Sequence, residues 1–277
     1  MKLSHNAYGK AGVRVLKVIR NGARHSIKEL EVSVLLQGNF GASYTGNDNS
    51  SIVPTDTIKS TVQVLAFKHL GEETEPFGVV LGEHFVTKYA QVESALVSLR
   101  EKAWKQQVAS DAANYWTEVG GVPIVEVTHR KGETTVTSGI EDLLILKTSG
   151  SGFEGFAKDE LTTLAETKDR ILATKLEAAW TYRGQPASYS QSNGKIMRAM
   201  LDIFAGTYSP SVQATLYQMG KAALSAVEEI DEISLTLPNK HYLLANLAPF
   251  GLKNSNELFI PTDEPYGKIH GTVTRDE

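Results

Sequence analysis

The fold follows from residues 9–38, which read GKAGVRVLKVIRNGARHSIKELEVSVLLQG. Two stretches rich in valine, isoleucine and leucine, Gly9 to Arg20 and Ile27 to Gly38, lie on either side of Asn21-Gly22. Asn-Gly is a strong β-hairpin signal, because both residues tolerate the positive φ angles of the tight turns that join antiparallel strands. The sequence therefore predicts an antiparallel pair of strands at the start of the chain.

Two helices and two more strands are predicted after this hairpin. A polar loop follows the second strand, and apolar residues then recur at helical spacing from Thr55 to Leu65. Pro76 indicates the start of a second helix, because proline suits the first helical turn. The next strand-like stretches are Ser94 to Lys105 and Tyr115 to Arg130. The order of elements is therefore ββααββ.

The same order of elements occurs again in the second half of the chain. The repeat predicts an α+β protein of two tandem ββααββ units, residues 1–134 and 135–277, each an antiparallel sheet with helices on one face. Half-covered sheets commonly pair with other sheets, so we expect a homo-oligomer. The second-half stretches are strands Gly139 to Lys147 and Lys175 to Arg183, helices around Ile196 to Phe204 and from Ser209-Pro210, and strands Ile230 to Leu237 and Lys268 to Thr274.

The composition argues against several classes of partner. The 277-residue chain has a net charge of -4 and no basic block, so a nucleic-acid partner is not expected. No apolar run approaches the roughly 18 residues that cross a bilayer, and the start lacks a signal-peptide core, so we expect a cytoplasmic protein without membrane contact. Cysteine is absent and the seven histidines form no HExxH motif, so no metal site is expected. Glycine-rich phosphate-binding motifs are also missing.

A polar pair follows an alternating apolar stretch near residue 240. Aliphatic and polar residues alternate from Ile233 to Leu237, and Asn239 and His241 lie on the aliphatic face if the pleat continues. An amide and an imidazole at the end of a core face would form a plausible ligand pocket. If the strand instead leaves the core at Pro238, both side chains lie in a solvated loop. The spacing leaves both alternatives open.

Five short motifs make the chain similar to a known family. They occur in the order and approximate spacing of the urate oxidase (uricase) family, over nearly the whole chain. Any one of them alone would be weak, but their conjunction is specific. The motifs are Tyr8-Gly9-Lys10, Thr55-Asp56-Thr57-Ile58-Lys59, Gly155-Phe156 with Asp159-Glu160-Leu161-Thr162-Thr163-Leu164, Asp169-Arg170-Ile171-Leu172-Ala173-Thr174, and Leu237-Pro238-Asn239-Lys240-His241.

The resemblance implies both an architecture and an activity. The implied architecture is the tunnelling fold (T-fold), with two ββααββ units per chain, sheets that assemble into barrels, and a homotetramer whose active sites lie between neighbouring subunits. The implied activity is the oxidation of urate by O2 to 5-hydroxyisourate and H2O2, without a cofactor. A chain end without Ser-Lys-Leu favours a cytoplasmic enzyme of bacterial type.

Substrate-binding residues follow from the same resemblance. It implies that Phe153 lies against the urate ring, that Arg170 and Gln213 hold the pyrimidine edge, and that the Val212 backbone N–H is a further donor. A guanidinium fork and an amide suit the carbonyl and ring-nitrogen edge of a purine. Each residue also has an ordinary interpretation: Phe153 as core, Arg170 as an ion-pair partner, and Val212 and Gln213 as the first turn of a helix.

Catalytic residues are implied in the same way. Lys10 and Thr55 of one subunit and His241 of its neighbour would form a proton relay, because a threonine hydroxyl can both donate and accept a proton. The Thr55 and Asp56 backbone N–H groups, at a helix start, would favour negative charge on the substrate. Considered alone, Lys10 is typical of a solvated charge and Thr55 of a helix N-cap.

The oxygen site and two rival functions complete the sequence-based interpretation. By similarity, Asn239 would hold dioxygen or water above the ring plane, and Ile269 would add an apolar wall. One alternative is a T-fold enzyme acting on pterins, which would not need the combination of Lys10, Thr55 and His241. The other is a non-catalytic purine-binding oligomer, which would tolerate the loss of Lys10.

Overall fold

The computed structural model describes residues 1–22, 24–107 and 114–275. The chain forms two compact units, one of Met1–Gly139 with Thr181–Ser190 and one of Ile140–Trp180 with Gln191–Glu277. The division passes through two strands, β7 (Glu133–Lys147) and β8 (Leu172–Tyr182). The sequence-based boundary after residue 134 stays a prediction about where the repeat begins.

The first unit is an antiparallel sheet with helices on one face. Its strands follow the order β1-β2-β3-β6, α2 packs on β1, and α3 packs on β3 and β6. A separate two-stranded sheet is formed by β4 and β5. The elements are β1 (Tyr8–Asn21), β2 (Arg24–Gly38), α1 (Gly41–Thr45), α2 (Thr55–His69), α3 (Glu75–Lys88), β3 (Val92–Lys102), β4 (Trp104–Gln107), β5 (Tyr115–Glu118) and β6 (Val122–Arg130).

Alternate burial along the strands explains why these residues form a half-covered sheet. Along β2, Leu30, Val32, Val34 and Leu36 are buried, whereas the residues between them are only partly buried or exposed. Side chains of a strand point alternately to opposite faces, so these four side chains form one apolar face. The predicted hairpin is confirmed, because β1 pairs with β2 in antiparallel fashion from Tyr8 to Asn21, with a register shift between Lys10 and Val13. Asn21 itself pairs with Arg24 and so belongs to β1, whereas Gly22 has the positive φ angle of a turn residue.

One predicted strand is wrong as a single element. The stretch from Tyr115 to Arg130 forms two strands, β5 and β6, interrupted at Val119–Gly121. Gly121 has a φ angle of 83°, a left-handed conformation that breaks a strand and that glycine adopts without steric cost. As a result, β5 pairs with β4, and only β6 joins the larger sheet.

The second unit repeats the plan. Its strand order is β7-β8-β9-β10, with β9 and β10 antiparallel, and α5 packs on both of these strands. The α+β class with repeated antiparallel sheets and helices is thereby confirmed. Within the described parts of the chain, no helix is long and apolar enough to cross a membrane. The further elements are α4 (Tyr189–Gly206), α5 (Val212–Ala226), β9 (Ile230–Leu244), a 3-10 turn (Ala248–Phe250) and β10 (Phe259–Thr274).

Close packing of α5 on β10 predicts that alanine substitutions of two helical glycines change the free energy of unfolding in opposite directions. A Cβ atom on Gly220 of α5 would lie 2.6 Å from Val273 Cγ2, whereas a Cβ atom on Gly194 of α4 would meet open space. Gly220→Ala should therefore lower the free energy of unfolding by about 1–2 kcal/mol through overpacking. Gly194→Ala should raise it by about 0.5–1 kcal/mol, because alanine is the better helix former. Denaturant midpoints of both variants against the unsubstituted protein measure the difference, and equal shifts would contradict the packing argument.

Candidate active site

Three of the predicted site residues, Lys10, Thr55 and Asp56, lie in the first unit. Lys10 pairs with Val34 across β1 and β2 and is the last regularly paired residue before a β-bulge that ends at Val13. Bulges bend a strand and redirect its side chains. Thr55 and Asp56 are the first two residues of α2.

The Thr55 hydroxyl is not used to cap α2. The N-cap residue of this helix is Pro54, and no side chain caps its first turn. The interpretation of Thr55 as an N-cap is therefore wrong, because the helix begins at Thr55 itself. The Thr55 side chain is exposed, and its backbone N–H belongs to the first helical turn, where N–H groups have no partner within the helix. Both groups are thus available to a ligand.

Charges near the start of α2 stabilise the ionised Asp56 side chain. The Lys59 ammonium donates a hydrogen bond to the Asp56 carboxylate and lowers the pKa of Asp56 below its usual value. The Lys10 charge makes a smaller contribution to the lowered pKa of Asp56. Lys10, the Thr55 hydroxyl and the N-terminus of α2 therefore all belong to the first unit.

Phe153 and Arg170 meet in the second unit. Phe153 and Thr167 exchange backbone hydrogen bonds of 2.7 and 3.0 Å, and the Arg170 N–H donates to the Ser151 carbonyl at 2.9 Å. The guanidinium carbon of Arg170 lies 5.3 Å from the centre of the Phe153 ring. Burial lowers the pKa of Arg170 from its usual value. An arginine nevertheless stays charged at neutral pH, so this group offers a flat ring beside a fixed cation.

Backbone hydrogen bonds connect this group to the start of α5. The Gly152 N–H donates to the Ser209 carbonyl at 2.9 Å, and the Ser209 N–H donates to the Gly150 carbonyl at 2.8 Å. Ser211 then caps α5 by accepting a hydrogen bond from the Ala214 N–H. Val212 and Gln213 are the first two helical residues; Val212 is buried and Gln213 is exposed. The Val212 N–H lacks a partner within the helix and is the kind of donor an anion needs.

Asn239 and His241 lie on a strand, as one of the two alternatives predicts. β9 passes through Pro238 and continues to Leu244, so the pleat does not end at the proline. Asn239 and His241 are both partly buried and pair with Gly267 and Thr262 of β10, where the register of the two strands shifts. The solvated-loop alternative is therefore wrong.

Ile269 completes the predicted group on β10. It pairs with Leu237 of β9, and its side chain is partly buried. Among the described residues, no hydrogen bond or ring contact joins Asn239 or His241 directly to Phe153 or Arg170. The seven predicted residues of the second unit thus form two local groups. Val212 and Gln213 of one group belong to α5, and the strands β9 and β10 that carry the other group pack on α5.

Ser151 is a neighbour of Arg170 that the sequence-based interpretation missed. Its side chain is fully buried, its Oγ accepts a hydrogen bond of 3.4 Å from Arg170 Nε, and its carbonyl accepts the Arg170 N–H. Phe156 was also missed as a neighbour and stacks on Phe153 with ring centres 4.8 Å apart. A small serine in a loop rich in glycine and serine gives no periodic signal, so only the folded chain identifies it.

The described residues hold no group of three or more histidine, aspartate or glutamate side chains arranged to bind a metal ion.

Comparisons with known proteins give one consistent family. A sequence model of a protein family, described as Uricase, matches residues 6–119 and 136–270. A uricase of Dictyostelium discoideum is 40% identical to this chain in an alignment that covers 99% of this chain and 97% of that protein. A uricase of Arthrobacter globiformis is also 40% identical, with 99% and 90% covered.

Solved structures agree with these sequence matches. The crystal structure of the Arthrobacter globiformis uricase has a TM-score of 0.95 to this chain at 39% identity, and the alignment covers 100% of this chain and 96% of that one. A hyperthermostable variant of the Bacillus sp. TB-90 urate oxidase has a TM-score of 0.84 at 21% identity, with 98% and 99% covered, and supports the fold alone.

Proposed function

The chain belongs to the uricase family, and from that premise we propose how its residues oxidise urate with dioxygen. The overall reaction consumes urate, O2 and water and gives 5-hydroxyisourate and H2O2. One observation carries this proposal: each of the ten predicted site residues, from Lys10 to Ile269, falls within the two stretches that match the family. The full-length match favours urate over the pterin substrates of other T-fold enzymes.

Arg170, Gln213, Phe153 and the Val212 N–H bind the substrate. The Arg170 guanidinium presents its planar fork to the carbonyl and ring nitrogen of the pyrimidine edge, and the Gln213 amide both donates and accepts at the same edge. Phe153 contacts the ring face. This assignment is supported by the backbone bonds that connect the Phe153 segment to Ser209, because they hold the cation and the start of α5 on one framework.

Lys10, Thr55 and His241 move protons. Lys10 and Thr55 remove a proton from bound urate, which makes the purine a better one-electron donor, and His241 exchanges protons with the same hydroxyl or with water. The N-terminus of α2, at Thr55 and Asp56, stabilises the negative charge that develops on the substrate. The free Thr55 hydroxyl supports this role, because a helix cap would have occupied it.

Asn239 and Ile269 hold dioxygen above the ring. One electron passes from the substrate anion to O2, and recombination of the two radicals forms a peroxide at C5. Loss of H2O2 and addition of water then give 5-hydroxyisourate. The protein supplies deprotonation and positioning in this scheme. The position of Asn239 on a partly buried stretch of β9 supports a site that limits access of water.

We propose further that a homotetramer completes each active site. The proton-transfer residues Lys10 and Thr55 belong to the first unit, whereas the residues that bind the ring belong to the second unit. In the proposed assembly, the first unit of one subunit meets the second unit of its neighbour. Exposed apolar side chains on the outer parts of β9 and β10 support such contacts, because monomers rarely expose large apolar patches. They are Leu243, Leu244, Ile260 and Tyr266.

The reaction itself has a direct test. Protein treated with a chelator should consume the near-ultraviolet absorbance of urate and release H2O2 in the proportions of the overall reaction. Binding of purines without consumption of oxygen would contradict the proposal and favour a purine-binding oligomer instead.

The relay predicts a loss of rate without a loss of binding. Lys10→Met and Thr55→Ala should each lower the single-turnover rate of urate oxidation by about 10²- to 10⁴-fold. Purine-analogue affinity should stay almost unchanged, and the double variant should be far less impaired than the product of the two losses, because members of one relay are not additive. Thr55→Ser keeps the hydroxyl and should retain most of the rate. Lys105→Met, at an exposed lysine of the same unit, is the control, and equal rates for it and Lys10→Met would contradict the relay.

Arg170→Lys should weaken the binding of xanthine-type purines. The substitution keeps the charge but loses the planar fork, so the affinity should fall by roughly 1–3 kcal/mol in binding free energy. Calorimetry measures this change. Arg198→Lys, at an arginine exposed on α4, should bind like the unsubstituted protein. Unchanged affinity of Arg170→Lys would remove Arg170 from the proposed binding edge.

Activity should follow the tetramer on dilution. Because neighbouring subunits complete the site, specific activity should fall in proportion to the loss of oligomer. Sedimentation and activity measured over the same concentration series test this, and a fully active monomer would contradict the shared site.

A further inference from the structure

Tyr8 joins the start of β1 to the segment that leads into α2. The Val53 N–H donates a hydrogen bond of 2.7 Å to the Tyr8 hydroxyl oxygen. Tyr8 precedes Lys10 by two residues, and Val53 precedes Thr55 by two residues. Side chains two apart on a strand lie on the same face, so Tyr8 and Lys10 point to the same side of β1. One hydrogen bond therefore connects the two segments that carry the proposed relay.

The start of α2 lacks a cap of its own. Pro54 is the N-cap residue, has no side-chain donor or acceptor, and leaves the first turn without a side-chain cap. Val53 is 2% exposed, so its N–H depends on a protein acceptor. Without the Tyr8 hydroxyl, a buried donor would lose its partner, and the segment before Thr55 would have to move to satisfy it.

The strand side of this connection packs closely against β2 and Phe40. Gly9 lies so close to β2 that a Cβ atom there would be 1.8 Å from the Val34 carbonyl oxygen. Lys10 then pairs with Val34, and the bulge begins directly after it. The Tyr8 ring contacts the buried Phe40 ring edge-on, with ring centres 4.7 Å apart. Tyr8 is thus fixed relative to Lys10, and the start of α2 is fixed relative to Tyr8.

We propose that Tyr8 is a positioning residue, whose hydroxyl holds the start of α2 against β1 and so sets the separation between the Lys10 ammonium and the Thr55 hydroxyl. The inference rests on the relay of the proposed function. Proton transfer needs donor and acceptor within hydrogen-bond reach, so a small displacement of one partner slows the chemical step. Ring binding depends mainly on second-unit residues and is largely independent of Tyr8.

Burial also affects the ionisation of the Tyr8 hydroxyl. It raises the pKa of Tyr8 above its usual value, so the side chain stays neutral at the pH of catalysis. The neutral hydroxyl accepts the Val53 N–H and keeps a proton of its own to donate.

The test is Tyr8→Phe in the full assembly. This variant keeps the ring and its contact with Phe40 and removes only the acceptor. We expect the single-turnover rate of urate oxidation to fall by about 10- to 100-fold, with purine-analogue affinity within about threefold of the unsubstituted protein. Tyr44→Phe is the matched control, because the Tyr44 hydroxyl donates at 3.3 Å to the Ala7 carbonyl beside Tyr8 but does not contact Val53. The control should keep its rate.

A double variant separates positioning from general stability. In the Lys10→Met background, Tyr8→Phe should cause little further loss, because the relay it positions is already broken. A full multiplicative loss in that background would overturn the proposal. So would an unchanged rate in Tyr8→Phe, an equal loss in Tyr44→Phe, or failure of Tyr8→Phe to assemble in sedimentation. If Lys10→Met itself oxidises urate normally, the relay is wrong, whereas a slow Lys10→Met beside a normal Tyr8→Phe removes only the role of Tyr8.

Discussion

Antiparallel backbone pairing with one apolar face is the constraint on which the rest of this structure depends. Each unit buries one apolar face of its strands, including Val32 and Val34 of β2, and the helices α2, α3 and α5 pack on strands of these sheets. Burial of this face provides the main driving force for folding, because apolar area removed from water is the largest favourable contribution. It also fixes the register, since a slip of one residue would turn every buried side chain outward.

The candidate site residues lie where this regular pairing ends. Lys10 precedes a bulge in β1, and Asn239 and His241 flank the shift between β9 and β10. Thr55 and Val212 begin helices, where backbone N–H groups have no partner within the helix. Irregular positions of this kind expose polar groups on a rigid framework, which is what binding and proton transfer require.

The two units contribute different groups to the proposed active site. The first unit supplies Lys10 and the start of α2, which suit proton transfer. The second supplies His241 together with a cation, an aromatic ring and helix N–H donors suited to a planar anion. In the proposed mechanism, the two repeats of the fold therefore have different chemical roles. The proposed oligomer gives a physical reason for this arrangement, because a site shared by neighbours makes activity depend on assembly.

The sequence by itself determined the class of fold, the repeated order of elements and the family. Hydrophobic alternation and the Asn21-Gly22 sequence signal are local properties, so the hairpin and most elements could be predicted from them. Only the tertiary structure decided that β9 continues through Pro238, that Gly121 separates β5 from β6, and that Thr55 begins α2 without capping it. The partners of Arg170 and Tyr8, namely Ser151 and Val53, were likewise invisible in the sequence. Such contacts join residues 19 and 45 positions apart, and no local pattern encodes a distance that arises only when separate segments are folded together.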